Sequence, residues 1–141
     1  MPSFGKSSRA KLDTCHLALQ DVLEEAIKHF DFTVLYGHRT PAEQAELYAI
    51  GRTKEKHRKP VTTKDGTNKL SMHNHSPSLA VDIAPYPIDF NDTKRIRYLM
   101  GFVMGIAAAK GIKLRWGGDW DMDTETKDQT FEDLLHVELC Q

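Results

Sequence analysis

The chain has 141 residues, which fits one domain, and a formal net charge of -1. That size can bury a core without disulfides or a structural metal. The near-neutral balance excludes the concentrated basic face of a nucleic-acid binder. The nearest thing to such a face is the run Arg52, Lys54, Lys56, Arg58, Lys59, Lys64 and Lys69, which has no interleaved aromatic residues to stack bases and reads as a solvated loop.

Cys15 and Cys140 stand near opposite ends of the chain, with no Cys-x-x-Cys spacing, and read as two free thiols. The N-terminal segment lacks the apolar run of a secretory signal, and the apolar stretch Tyr98 to Ala109 is too short to span a bilayer. The expectation is synthesis in the cytoplasm, with no membrane insertion.

Ser7 or Ser8 can cap a first helix, along which Leu12, Leu19, Val22, Leu23, Ala26, Ile27 and Phe30 recur at helical spacing. Phe32 to Tyr36 reads as a strand that Gly37 ends. Thr40-Pro41-Ala-Glu43 is a helix start, with Thr as cap, Pro at the first turn and an acid behind it. That second helix is expected to turn Ala45, Leu47, Tyr48 and Ile50 inward and to end at Gly51. From Arg52 to Leu70 the periodicity disappears, and long loops of this kind in compact domains are often functional. Leu79 to Ala84 reads as a buried strand containing one acid, Asp82. Asn91 or Asp92 can cap a third helix reaching Lys110. Ile112 to Trp116 and Leu134 to Leu139 are strand candidates on either side of an acidic loop. Helices and strands are segregated more than strictly alternating, and there is no internal repeat or linker. The expected fold is α+β, one compact domain over residues 1–141, with a small antiparallel sheet packed against helices.

Two segments carry chemistry: Ser71-Met-His73-Asn-His75-Ser-Pro-Ser-Leu-Ala-Val-Asp82 and Asp133-Leu-Leu-His136-Val-Glu138. A catalytic zinc takes three protein ligands, usually His or carboxylate, and keeps one position open. An aspartate between Val81 and Ile83 is costly unless it is paired or bound to a metal. A short connection can bring His75 to Asp82, and His136 can supply a third ligand with Asp133 beside it. His73 competes with His75 for the first place. Spacing alone also allows Asp82 to be a buried acceptor and His136 an ordinary core histidine. There is no Gly-x-Ser-x-Gly elbow, and neither cysteine has a recognisable catalytic setting.

These segments resemble the M15-type zinc D,D- and L,D-peptidases, whose pattern is Ser-x-His-x6-Asp followed by Asp or Glu-x-x-His. Within that family the chain is most similar to phage endolysins that act as L-alanyl-D-glutamate peptidases. The likeness spans nearly the whole chain. It runs through Phe4-Gly-Lys-Ser7, Gly37-His-Arg39-Thr40 with Gln44, Ala80-Val-Asp82-Ile-Ala-Pro85-Tyr86, Gly111-Ile-Lys-Leu-Arg-Trp116-Gly-Gly-Asp-Trp120 and Asp133-x-x-His136-Val-Glu138-Leu139. The resemblance implies the D-Ala-D-Ala carboxypeptidase and hedgehog-like zinc peptidase fold. It implies one Zn2+ per chain, held by His75, Asp82 and His136. Asp133 falls on the catalytic acid, Arg39 on an arginine that holds and polarises the substrate carbonyl, and Gln44 on a position near the substrate. The family register selects His75, because it stands seven residues before an aspartate whereas seven after His73 is Ala80. In that register His73 stands where the family has serine, and Ser78, after Pro77, where it has glycine. The implied substrate is the stem peptide of bacterial peptidoglycan, cut by a monomer released to the wall through a holin-made lesion. The rival readings are a D-alanyl-D-alanine dipeptidase or carboxypeptidase on the same scaffold, and a wall-binding domain that does not cut.

Overall fold

Alternation along the strands decides how this molecule is layered. In the computed structural model, which describes residues 1–141, Val81 and Ile83 are fully buried while Asp82 between them faces the other way. The elements in chain order are α1 (Lys6–Leu12), α2 (Leu17–Ile27), β1 (Phe32–Tyr36), α3 (Pro41–Ala49), a 3-10 turn (Met72–Asn74), β2 (Ala80–Pro85), α4 (Thr93–Ala109), β3 (Leu114–Gly117) and β4 (Asp133–Leu139). The four strands form one antiparallel sheet in the order β1-β2-β4-β3. The expected α+β class with a small antiparallel sheet is what is found.

One face of the sheet is covered by helices. Val34, Val81, Ile83, Leu114, Val137 and Leu139 join Leu19, Val22 and Leu23 of α2 and Leu99, Met100 and Val103 of α4 in a single core cluster. Asp92 caps α4 by accepting a hydrogen bond from the Arg95 N–H (3.2 Å), so that helix begins where the sequence places it. No helix is long and apolar enough to cross a membrane. On the other face Asp82, Arg115, His136 and Glu138 occupy the alternate positions of β2, β3 and β4.

The first helix is not continuous. It divides into α1 and α2, because residues 13–16 tie distant loops together instead of extending the helix. The Thr14 carbonyl accepts from the Ser78 N–H (2.9 Å), and the Ser78 carbonyl accepts from the His16 N–H (2.8 Å). The Thr14 hydroxyl accepts from the His38 N–H (2.8 Å). Gly37 is pressed into this clasp: a Cβ there would lie 2.3 Å from the Lys11 carbonyl and 2.4 Å from Thr14 Oγ1. Cys15 is buried in the same place, and burial pushes its thiol up to about 11, so it carries no thiolate at neutral pH.

Helix α3 starts as expected, with a capping box between Thr40 and Glu43, but its inward face differs. Ala45 is exposed, Leu47, Tyr48 and Ile50 are half-buried, and the one buried residue is the polar Gln44. The helix packs on the long loop, where hydrogen bonding rather than apolar contact is on offer. Strand β3 begins at Leu114 rather than Ile112, and β4 extends back to Asp133.

Candidate metal centre and substrate pocket

The 3-10 turn is fastened to the segment after β1 by a set of local bonds. Ser71 Oγ accepts from the His73 N–H (3.2 Å), and Asn74 Oδ1 accepts from the Ser71 N–H (2.8 Å). Asn74 Nδ2 donates to the Arg39 carbonyl (2.9 Å), while the Arg39 N–H donates to the His73 carbonyl (2.8 Å). Fixed this way, the turn points His73 inward and leaves His75, the residue that ends it, exposed. The structure thus sets His73, where His75 was expected, beside Asp82 and His136. His73, Asp82 and His136 bring one donor atom each within 4.8 Å of one another, and His75 is not among them. The reason is slack in the connection. His75, Ser76 and Pro77 lie exposed on an excursion, and Ser78 returns the chain to the Thr14 clasp before β2. A count of seven residues to Asp82 does not allow for that excursion, whereas Ser71, two places before His73, preserves the serine of the pattern.

The tautomers follow from the partners. The Gly37 carbonyl can only accept, so His73 Nδ1 carries the hydrogen of their 2.8 Å bond and Nε2 presents its lone pair. That Nε2 is buried, has no hydrogen-bond partner, and lies 3.3 Å from Asp82 Oδ1. Two acceptors facing each other at that distance call for a cation between them. On the other side, His136 Nε2 bonds Glu138 Oε1 (2.8 Å), while Nδ1 faces Asp82 Oδ1 at 3.2 Å. Glu138 is itself held by Arg115 Nη2 (2.7 Å). A carboxylate behind a histidine fixes the ring and increases its basicity as a ligand. Two imidazole nitrogens and a carboxylate are the donor set that suits Zn2+.

Electrostatics agree with that arrangement. Burial alone would raise Asp82, but the His136 and His73 rings that face it hold it well below the ordinary carboxylate range. Burial alone would lower His136, yet Asp82 and Glu138 raise it to about 9, so this site attracts positive charge at its centre. Glu138 is lowered because His136 and Arg115 outweigh its burial.

Asp133 and His136 are three residues apart on β4, a spacing that points to opposite faces of a regular strand. The ladder is interrupted between them: Trp116 pairs with Val137, but Gly117 pairs with Asp133. This irregularity returns Asp133 to the site face, where it lines the same cavity as the triad. Gly117 permits it, since a Cβ there would lie 2.0 Å from the Asp133 carbonyl. Burial, and after it the charge of Asp82, raises the Asp133 carboxyl above its usual range.

The cavity has a volume of about 660 Å³ and opens to solvent. It is lined by the triad, by Trp120 and Phe131, and by Thr62, Thr63 and Lys64 of the long loop. The Trp120 ring lies 5.6 Å from His136 and 6.3 Å from Phe131. Arg39 is buried, with its guanidinium 4.8 Å from the Tyr36 ring and Nη2 3.8 Å from Asp82 Oδ2. Gln44, expected near the substrate, is instead fully buried behind Arg39, out of the cavity. It accepts from Arg39 Nη1 (2.8 Å) and donates to Thr62 Oγ1 (3.1 Å) and the Lys64 carbonyl (2.9 Å). Glu138 and Arg115 were not singled out from sequence; the signal was an acid at i+2 from His136, on the same strand face. Four buried side-chain atoms in the molecule lack a hydrogen-bond partner, on Arg39, His73, Arg115 and Trp120, and all four residues line this cavity. Polar atoms left unpaired in one place mark where a ligand belongs.

The family model described as phage L-alanyl-D-glutamate peptidase matches residues 2–140. The L-alanyl-D-glutamate peptidase of Escherichia phage T5 is 34% identical over 145 residues, covering 96% of this chain and 96% of that protein. The crystal structure of the Serratia marcescens L-Ala D-Glu endopeptidase ChiX shares the fold, with a TM-score of 0.69 at 24% identity over 97% of this chain and 89% of that one. On the family match and the identity to the phage relative, the chain belongs to the phage L-alanyl-D-glutamate peptidase family.

Proposed function

We propose that the protein is a zinc peptidase that hydrolyses the L-alanyl-D-glutamate bond of the peptidoglycan stem peptide and serves as an endolysin in host lysis. The observation that carries the reading is the convergence of His73, Asp82 and His136 beside Asp133 in the lining of an open pocket. The name of the phage relative, an L-alanyl-D-glutamate peptidase, supports the choice of bond. His73 Nε2, His136 Nδ1 and an Asp82 oxygen would hold the metal, and zinc held there would supply Lewis acidity toward water and the scissile carbonyl.

The remaining chemistry belongs to the chain. Asp133 takes a proton from the attacking water and returns it to the leaving amine. Burial, and after it the charge of Asp82, displaces the Asp133 carboxyl upward, which makes its carboxylate a stronger base. Arg39, whose Nε is unpartnered, offers a fixed positive charge to the oxygen on which negative charge develops. Glu138 keeps His136 Nε2 protonated, so that Nδ1 is the atom turned to the metal.

The test uses Asp133→Ala on purified peptidoglycan and on a synthetic stem peptide, with products identified by mass spectrometry. The wild type releases a new N-terminal glutamate. The variant keeps one zinc per chain and loses activity by a factor on the order of 10²–10⁴. Full activity in the variant overturns the role of Asp133. Release of free D-alanine by the wild type assigns the enzyme to the D-alanyl-D-alanine class instead.

A further inference from the structure

A glutamate joined to the next residue through one of its carboxyls keeps the other free. On the proposed substrate an anion therefore sits a few bonds from the scissile amide, on the leaving side. It must be carried into a pocket where burying an unpaired charge is costly.

Four cationic side chains line that pocket, and three are already committed. Arg39 is held by Gln44 and faces Asp82. Arg115 is bonded to Glu138, and Arg58 faces Glu55 at 3.3 Å. Lys64 has a different setting. Its ammonium makes no ion pair and no hydrogen bond, while its backbone is held on both sides. The Lys64 carbonyl accepts from Gln44 Nε2 (2.9 Å), and the Lys64 N–H donates to Thr62 Oγ1 (3.1 Å). The neighbouring Asp65 makes no ion pair with it; its Oδ1 accepts from the Thr67 and Lys69 N–H groups (2.9 and 2.8 Å). Gly66, at φ +85°, packs so closely on α3 that a Cβ would lie 2.7 Å from the Pro41 carbonyl. The loop is thus braced on the helix that also positions Arg39, and the exposed Lys64 is the one cation lining the pocket that is left uncommitted.

We propose that Lys64 reads the free carboxylate of the glutamate on the leaving side of the scissile bond, and that Gln44 is the positioning residue that holds Lys64 and Arg39 in one frame. The proposal rests on the peptidase reading above. It makes the enzyme sensitive to amidation of that carboxylate, a change that removes the charge and leaves the size.

The experiment compares two synthetic L-Ala-D-Glu-L-Lys peptides that differ only in a carboxylate or a carboxamide on the glutamate. The wild type is expected to cut the carboxylate form with about fivefold higher kcat/KM, as an ion pair at a partly exposed site provides. Lys64→Gln loses that preference by falling only on the carboxylate form, keeps its zinc, and responds less to added salt. Lys64→Arg restores the preference. Binding of both peptides to the Asp133→Ala protein, with and without Lys64→Gln, is measured by calorimetry. A wild type that cuts neither peptide overturns the peptidase reading, while the calorimetric preference still decides for or against Lys64. Equal handling of the two peptides by the wild type, or an equal loss on both in Lys64→Gln, overturns the proposal.

Discussion

On the helix-covered face of the sheet, Val81, Ile83 and Val137 are fully buried among aliphatic neighbours. On the opposite face, Asp82, His136 and Glu138 take the intervening positions of the same two strands. The backbone ladder is shared, so the two faces differ only in side chains and in what covers them. The covered face gains stability from area removed from water and is indifferent to the ionic state of its residues. The open face gathers three carboxylates and two imidazoles, an arrangement that offers little to the fold until a cation joins it. Changes on one face should therefore be read in stability and changes on the other in metal and activity.

The largest separation is expected at the 3-10 turn. Under the proposed function His73→Ala removes one of three metal ligands, and zinc content should fall from one per chain toward none, with activity lost by a factor of about 10³ or more. His75→Ala, two residues away and exposed, should leave both unchanged. Zinc measured on the two purified variants, beside peptidoglycan turbidity assays, checks this. Retained zinc in His73→Ala with loss in His75→Ala would return the ligand to the position that residue counting selected.

The opposite case is Ile83→Ala. Ile83 is fully buried against the helices, one residue from Asp82. Its truncation should cost about 2–5 kcal/mol of stability. At temperatures where the variant is folded, zinc content and kcat should stay near the wild type. Denaturant melts of the metal-loaded and metal-stripped proteins give the first number, and kinetics the second. A variant that melts normally yet loses zinc would show the faces to be coupled through β2.

What could be read beforehand follows the same division. β1 was legible as Phe32–Tyr36 because a half-buried strand writes its alternation into the chain, and Asp82 stood out because it interrupts an apolar run. His136 and Asp133 lie on one strand, but a regular strand would turn them to opposite faces, and the irregularity that brings Asp133 to the site face leaves no mark in the sequence pattern. His73 could not be separated from His75 either. The segment from His75 to Ser78 has no periodicity, and its course is set by the Thr14 clasp more than 50 residues earlier. The burial of Gln44 could not be read for a related reason: its partners, Thr62 and Lys64, lie on a loop whose docking onto α3 leaves no mark in hydropathy.

Glu138→Gln tests the open face most finely, because it keeps size and hydrogen bonding while removing charge. Glu138 is buried, accepts from Arg115 Nη2, and orients His136 through Nε2. Being lowered in the folded protein, its carboxylate contributes stability above the unfolded pKa that is lost as pH falls through the folded one. The glutamine variant lacks that contribution at neutral pH. It also gives His136 an amide partner that can present either its oxygen or its NH2, so the tautomer is no longer imposed. The expected result is a zinc affinity weaker by about 10–100-fold, with a metal-loaded protein that melts lower than the wild type at any given zinc concentration. Competition with a chromophoric chelator measures the first, and melts across a zinc series measure the second. A variant that binds zinc as tightly as the wild type would mean that Glu138 only packs against His136, and that the carboxylate on this face matters to folding alone.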